Sequence, residues 1–460
     1  MKIYVKDIIE KCHGKLIIGN PDLELVNFSK DTRTINKNDI YVAIKGEVFD
    51  GNKFYQDALD KGAIACILDS FDEKEFDKEK YQDKTIILVK DTVKCLQELA
   101  SYKRSLYNIP VIAITGSVGK TSTKDMVSSV LEKKYNVLKT EGNNNNHIGV
   151  PLTILRLQDH NCLVVEMGMN HLKEISVLTN IAKPTMAIIT NVTTAHIGIL
   201  GSRENILKAK LEILEGLIDN KTIIINNDND MLHNAKINNE YNLITVGIEN
   251  KSDFMAKNIN QNNDYSKFDI EYNNTSTPIK IEIPTTPFIY NSLIAYAAGI
   301  LNKVDPKDIK DAIANIKLSN NRLSRHMNKK GITIIDDTYN ASYDSMKMAL
   351  EILSKEKNRK VAILGDMLEL GKYSKEIHEK LGIEVVNNNI DILITVGTES
   401  INIEKDAIKH GFDQNNTYHF KDAEECYDNL NKILKEKDTV LLKASHGIGL
   451  TNVVNKLIKE

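Results

Sequence analysis

The sequence contains no tryptophan, no C-x-x-C spacing and no uninterrupted apolar run of about 18 residues, the length a membrane-crossing helix needs. Nothing in it is therefore expected to span a membrane. Its five cysteines, Cys12, Cys66, Cys95, Cys162 and Cys426, are odd in number and scattered. That spacing argues against a disulfide frame or a zinc site and fits the reduced thiols of a cytoplasmic protein. A strong charge of either sign is also missing: 60 basic residues face 63 acidic ones, for a net charge of -3. Without a basic field the chain is not expected to bind nucleic acid or an anionic membrane surface. The opening "MKIYVKDIIEKCHG" carries charges through its apolar run, so it does not read as a signal peptide. The richness in Asn, Lys and Ile is a bias of composition without functional content.

What is present is ordinary for a globular enzyme: 42% hydrophobic and 27% charged residues. At 460 residues the chain is too long for one core, and two to four domains are expected. Three blocks are visible. The first, 1–105, has short β-branched runs ("DIYVAIKG", "AIACILDS", "TIILVKD") between helical patterns, and a solvated charged stretch, "DSFDEKEFDKEKYQDK". The second, 106–315, alternates strands ("VIAIT", "CLVVEMG", "TMAIITNV", "KTIIIN") with helical patterns, which predicts βαβ units and a mostly parallel sheet. Its weakly patterned segment 251–280 is expected to be an antiparallel excursion or surface insertion. The third, 316–460, has the strands "ITIIDDTYN", "KVAILGD", "DILITVG" and "DTVLLKAS" and is of Rossmann-like size. No internal repeat or low-complexity linker interrupts them.

The stretch "VIAITGSVGKTSTKDM", 111–126, carries the clearest chemistry. A strand runs into a small-residue loop and then a helix. Backbone N–H groups in such a turn point inward as an anion nest, and the helix N-terminus adds positive partial charge. Gly116 and Gly119 allow close approach to phosphate oxygens, Lys120 reaches the outer phosphates and the Thr121 hydroxyl can take Mg²⁺. The general pattern G-x-x-x-x-G-K-[ST] requires glycine at 114, where Ile114 stands. From the loop alone a plain strand-turn-helix is an equal reading. Three other stretches weigh in. "TEGNNNNHIGVPLTIL" sets side-chain amides before a Gly-Val-Pro turn, "VVEMGMN" ends a buried strand in Glu166, and "ITNVTTAHIGILGSRENILKAKLEI" places His196 after a strand and Lys210 on a helix. Ligands of doubly wound sheets sit at the carboxyl ends of strands, where Glu166 lies. Taken singly, each also reads as an Asn-rich loop, a surface carboxylate, or a lone histidine and a solvated lysine.

Together these stretches resemble the Mur ligase family. "TGSVGKT" fits that family's loop, T-G-x-x-G-K-T, and "GNNNNHIGVPLT", "DDTYNASYDSM", "ILGDMLELG" and the opening "KDTRTINKNDIYVAIKGEVFDGNKF" are similar to further family segments. The resemblance runs in order through all three blocks. It implies a three-domain α/β architecture: a small N-terminal α/β domain (1–105) binding a UDP-muramoyl peptide, a central P-loop-type parallel-sheet ATPase domain (106–315), and a C-terminal Rossmann-like domain (316–460) binding the incoming dipeptide. It implies an ATP-dependent amide ligase that joins D-alanyl-D-alanine to UDP-N-acetylmuramoyl-tripeptide through an acyl phosphate. The rivals are a relative with another acceptor, such as D-alanyl-D-serine or a single amino acid, and a P-loop ATPase that forms no amide.

By the same resemblance, Thr115, Gly116, Ser117, Val118, Gly119, Lys120 and Thr121 cradle ATP, with Asn291 at adenine, Arg322 at phosphate and Asp337 at ribose. Thr121, Glu166, His196 and a carbamylated Lys210 hold Mg²⁺, and Lys120, Glu166, His196 and Lys210 are the expected catalytic set. Asp31, Thr32, Arg33, Asn143, Asn145 and Asn146 hold the UDP-muramoyl peptide, while Tyr339, Asn340, Ser342 and His446 lie toward the dipeptide or the nucleotide. The expected partners are these small molecules, with the chain a cytoplasmic monomer. The sequence departs from the family pattern at Pro287 and Phe288 (usually His-Asn), Tyr343 (usually Pro), Ala444 (usually Gly) and His446 (usually Arg). An imidazole at 446 cannot reproduce the two-pronged grip of a guanidinium on a carboxylate.

Overall fold

The computed structural model describes residues 1–46, 49–74, 76–317 and 322–460. Three separate sheets organise it, each flanked by helices. The first has five short strands between residues 15 and 88. Its neighbours Phe28–Ser29, Ile40–Val42, Ala65–Leu68 and Thr85–Leu88 are parallel, and Lys15–Ile18 closes one edge antiparallel.

The central sheet has nine strands. Its parallel part runs Phe254–Gln261, Asn242–Gly247, Thr222–Asn226, Met186–Ile189, Val111–Thr115, Cys162–Glu166 and Val137–Lys139 across the sheet. Strands such as Val111–Thr115 and Cys162–Glu166 are buried at every residue. Covered on both faces by helices, they read as continuous apolar runs rather than alternating ones. The segment expected as an antiparallel excursion is one: Phe254–Gln261, Ser266–Tyr272 and Thr275–Ile281 form an antiparallel meander that extends the edge of this sheet.

The third sheet, six-stranded, is parallel except for its edge strand Ser324–Met327, which pairs antiparallel with Thr333–Asp336. Among the described residues no helix is long and apolar enough to cross a membrane, and all five cysteines are buried and free. The carboxyl ends of Val111–Thr115 and Cys162–Glu166, and the turns after Met186–Ile189 and Lys360–Gly365, supply the residues of the site.

Candidate active site

Strand Val111–Thr115 ends in Gly116, whose φ of +151° and crowding against Thr190 admit no side chain: a Cβ there would lie 1.9 Å from the Thr190 hydroxyl oxygen. Gly119, at φ +81°, then caps the helix Lys120–Leu131. The first helical hydrogen bond here runs from Thr123 N–H to the Gly119 carbonyl at 2.8 Å, so the N–H groups ahead of it have no partner within the helix. Asn191 steadies the loop from the neighbouring strand end. Its carbonyl accepts from Ser117 N–H at 3.0 Å and its side-chain oxygen accepts from Val118 N–H at 2.9 Å. Lys120 folds back over the loop and donates to the Gly116 and Ser117 carbonyls at 2.8 and 3.2 Å. Burial pushes its pKa down, Arg322 adds to that, and Glu166 opposes it. Thr115 is buried in the strand, donating to the Met167 carbonyl at 2.9 Å.

Glu166, 2% exposed, is the hub. It accepts from the Thr121 hydroxyl at 2.7 Å and from the Asn145 amide at 2.8 Å. Arg322 reaches in from the third unit and donates to the Thr121 oxygen at 2.8 Å. Its guanidinium lies 4.0 Å from the centre of the Tyr339 ring, a cation–π contact that fixes the planar head. Asn291 is buried beside the helix Lys120–Leu131, accepting from the Thr123 hydroxyl at 3.0 Å. Lys210, only 1% exposed, sits on the helix Arg203–Leu211. Its ammonium has no hydrogen-bond or ion-pair partner among the described residues. Burial lowers its pKa strongly, and the Lys120 charge lowers it further.

The other expected residues divide. His196 stands at φ +65° ahead of the short helix Ile197–Leu200. Its Nδ1 lies 2.7 Å from a carboxylate oxygen of Glu369, in the third unit, and that bond holds the Glu369 carboxyl below its usual range. Asp337 forms a buried ion pair with Lys443 at 2.5 Å, and Lys443 also donates to the Asn340 carbonyl at 2.9 Å. Ser342 caps the helix Tyr343–Ser354. The Asn146 side-chain oxygen accepts from Ile148 and Gly149 N–H at 3.1 and 2.9 Å, and Asn143 is exposed, two residues before Asn145. In the first unit the exposed Arg33 grips Asp31 with Nε and Nη2 at 2.9 and 2.6 Å. That grip holds the Asp31 carboxyl down at about 2. Thr32 hydrogen-bonds Asp57. His446 is exposed, in a short turn beside the exposed Leu368.

All but one of the departures from the family pattern have local settings that accommodate them. Phe288 is a core residue, 2% exposed, in the first turn of the helix Thr286–Leu301. Pro287 lies in the same turn, where its missing N–H costs nothing. The Tyr343 hydroxyl donates to Glu384 at 3.0 Å. Ala444 is buried against Gly365, which has no side chain to meet it. Nothing in the structure explains the imidazole at 446.

Sequence reasoning missed Asn191, Lys443 and Glu369 as members of the site. The last two lie in stretches that were legible, the strand "DTVLLKAS" and the segment "ILGDMLELG", but their partners are distant in the chain. A cleft of about 730 Å³ lies elsewhere, between Tyr265 and Lys280 on one side and Arg325, Lys355 and Glu356 on the other. Its Arg325 and Glu356 pair with each other at 2.6 Å, and no residue of the phosphate loop lines it.

Hard oxygens suit Mg²⁺, and the Thr121–Glu166 pair provides them. Among the described residues no three His, Cys, Asp or Glu side chains converge as a ready-made metal site. Lys210 is buried without a partner among the described residues, and a carbamate there would add two more oxygens. The residues present therefore fit the ion.

Known proteins are similar over the whole length. Family models match in chain order: "Mur ligase family, catalytic domain" over residues 27–104, "Mur ligase middle domain" over 114–299 and "Mur ligase, glutamate ligase domain" over 321–446. A Bacillus subtilis protein named UDP-N-acetylmuramoyl-tripeptide--D-alanyl-D-alanine ligase is 34% identical, covering 100% of this chain and 99% of its own. The Escherichia coli protein of the same name is 32% identical over 95% and 94%. Among solved structures, a crystal structure of MurF from Acinetobacter baumannii superposes with a TM-score of 0.87 at 26% identity, covering 100% and 99%. MurF ligase from Thermotoga maritima in complex with ADP gives 0.78 at 29% identity, covering 94% and 97%.

Proposed function

The chain belongs to the Mur ligase family, and from that premise we propose that it is the ATP-dependent ligase joining D-alanyl-D-alanine to UDP-N-acetylmuramoyl-tripeptide. The observation that carries the reading is the joining of Thr121, Glu166, Asn145 and Arg322 in one hydrogen-bonded group beside the phosphate loop. Residues 1–105, 106–315 and 316–460 act as the nucleotide-sugar, ATP and acceptor units, in a cytoplasmic monomer.

A terminal carboxylate oxygen of the tripeptide attacks the γ-phosphorus, the bond to the bridging oxygen breaks, and ADP leaves. The dipeptide amine then attacks the acyl carbon, gives up a proton, and inorganic phosphate departs with the electron pair of the C–O bond. Such phosphoryl transfer asks the protein for alignment and charge neutralisation rather than covalent chemistry. Lys120, Arg322 and the free N–H groups of the helix start supply positive charge. Mg²⁺, held by Thr121, Glu166, His196 and carbamylated Lys210, would neutralise further charge on the phosphates. Asn291 and Asp337 face the nucleoside, Asn145 the muramoyl peptide, and His446 the dipeptide carboxylate. Closure of the third unit excludes the water that would hydrolyse the acyl phosphate.

The test is phosphate release by the purified chain, assayed with the tripeptide and D-alanyl-D-alanine singly and together. Release that needs both, with the pentapeptide product seen by mass, is expected. Release with neither present identifies an ATPase, and a better response to a single amino acid places the chain elsewhere in the family.

A further inference from the structure

The seam between the central and third units carries a feature that the phosphate chemistry does not account for. Glu369 is the seventh residue of "ILGDMLELG", and its carboxylate crosses to His196 Nδ1 at 2.7 Å. Both residues hold left-handed backbone, each at φ +65°. For a glutamate that conformation is uncommon, and strain of this kind persists where the surroundings fix it.

The surroundings here do so. Asp366 accepts from Thr398, Glu399 and Ser400 N–H at 3.0, 3.1 and 2.7 Å. Met367 N–H donates to the buried His378 Nε2 at 2.9 Å, and Leu368 N–H to the Ser445 hydroxyl at 2.9 Å. Three consecutive residues are thus bolted to the third unit, and the fourth reaches out of it.

On the other side of the seam Gly198 packs directly on the Glu369–Gly371 backbone. A Cβ at 198 would lie 2.4 Å from the Leu370 carbonyl carbon and 2.5 Å from the Glu369 oxygen. The Tyr373 hydroxyl donates to the Gly201 carbonyl at 3.2 Å.

We propose that Glu369 is a positioning residue acting through His196, so that docking of the third unit sets which imidazole nitrogen is free to act in the central site. The carboxylate accepts a hydrogen bond, so in the neutral ring Nδ1 carries the proton and the Nε2 lone pair is left for a ligand. A carboxylate behind a ligating histidine orients the ring and fixes its tautomer in this way, and its loss typically costs about 10–100-fold in affinity or activity. Here the carboxylate comes from a different unit from the histidine, so ring orientation and closure are one event.

The experiment reads the imidazole directly. Ring ¹⁵N–¹H correlation spectra of the histidine-labelled full chain, with the His196 signal assigned by its absence in His196→Gln, report the tautomer without substrate. The wild type is expected to show Nδ1–H. Glu369→Ala is expected to shift His196 toward Nε2–H and to lower kcat about 10–100-fold, with the KM for UDP-tripeptide nearly unchanged. Glu369→Gln, whose amide oxygen still accepts from Nδ1–H, should keep the tautomer and most of kcat. Circular dichroism checks that each variant folds. An unchanged tautomer in Glu369→Ala, or equal loss of kcat in the Ala and Gln variants, overturns the proposal. The kinetic arm rests on the ligase reading, whereas the spectrum does not. A wild type that forms no amide but shows the Glu369-dependent tautomer would refute the reaction and leave the positioning intact.

Discussion

The phosphate loop and the seam at Glu369 are built on opposite principles. The loop is assembled within one unit by strand ends that lie side by side, and its geometry is set by two glycines, Asn191 and Glu166, all buried or half-buried. The seam joins two units through one exposed carboxylate, one partly exposed imidazole and a glycine pressed against backbone. The first is preorganised, while the second exists only while the units are docked. On the proposed reading, the loop's share of phosphate binding is built into the central unit, with Arg322 added from the third, and commitment to reaction depends on the contact.

Two substitutions should break the loop side of that contrast most severely. Lys120→Ala removes a cation folded over the loop carbonyls and should cost at least ~10²–10³-fold in kcat, the scale of losing one preorganised charge-stabilising group. Circular dichroism should be unchanged, and near-normal turnover in the folded variant would remove Lys120 from the phosphate site. Lys210→Ala should be nearly inactive and partly restored by short carboxylates that fill the vacated space. Burial lowers the Lys210 pKa, which favours the neutral amine, the form that adds carbon dioxide. Carbamates are lost as pH falls, so enzyme stripped of carbon dioxide at mildly acidic pH should lose activity and regain it with bicarbonate.

Gly198→Ala sharpens the comparison from the seam side. The added methyl cannot coexist with the docked Glu369–Gly371 backbone. Turnover should fall by about 10²-fold, the usual penalty for small misplacement of reacting groups, while ADP affinity measured by calorimetry stays as in the wild type. Small-angle scattering with ATP analogue and tripeptide should show a more open chain. A variant that closes and turns over normally would mean that the seam can shift without cost.

The smallest effect is expected at the acceptor rim. His446→Arg places a guanidinium at an exposed position, where an ion pair contributes up to about 1 kcal/mol. The KM for D-alanyl-D-alanine should fall by no more than about fivefold. A large rise would instead make His446 a specific contact for a different acceptor.

The same division explains what could be read from sequence. The three α/β units, the parallel central sheet and the antiparallel meander near 251–280 follow from local runs and periodicity. The phosphate loop was legible because its glycines, Lys120 and Thr121 are contiguous. Glu166 and Asn145 were legible as strand-end and loop residues, but their meeting with Thr121 is a matter of sheet order. Arg322 on Tyr339, Lys443 on Asp337 and Glu369 on His196 were not legible as pairs. Each is a contact between residues 17 to 173 positions apart, and the last two join separately formed segments with no local signal. Asn146 and Asn145 stand side by side in one motif, yet the first turns its side-chain oxygen to local backbone and the second its amide to Glu166, a difference no spacing announces.

The central claim is that ATP's γ-phosphoryl passes to a carboxyl group before any amide forms, and labelled oxygen tests it most directly. UDP-N-acetylmuramoyl-tripeptide carrying ¹⁸O in its terminal carboxylate is turned over with ATP and D-alanyl-D-alanine in unlabelled water, and the released phosphate is weighed by mass spectrometry. An acyl phosphate predicts one labelled oxygen in each phosphate at full enrichment. Phosphate free of label, with ATP consumed, would mean that water receives the phosphoryl group and would contradict the account.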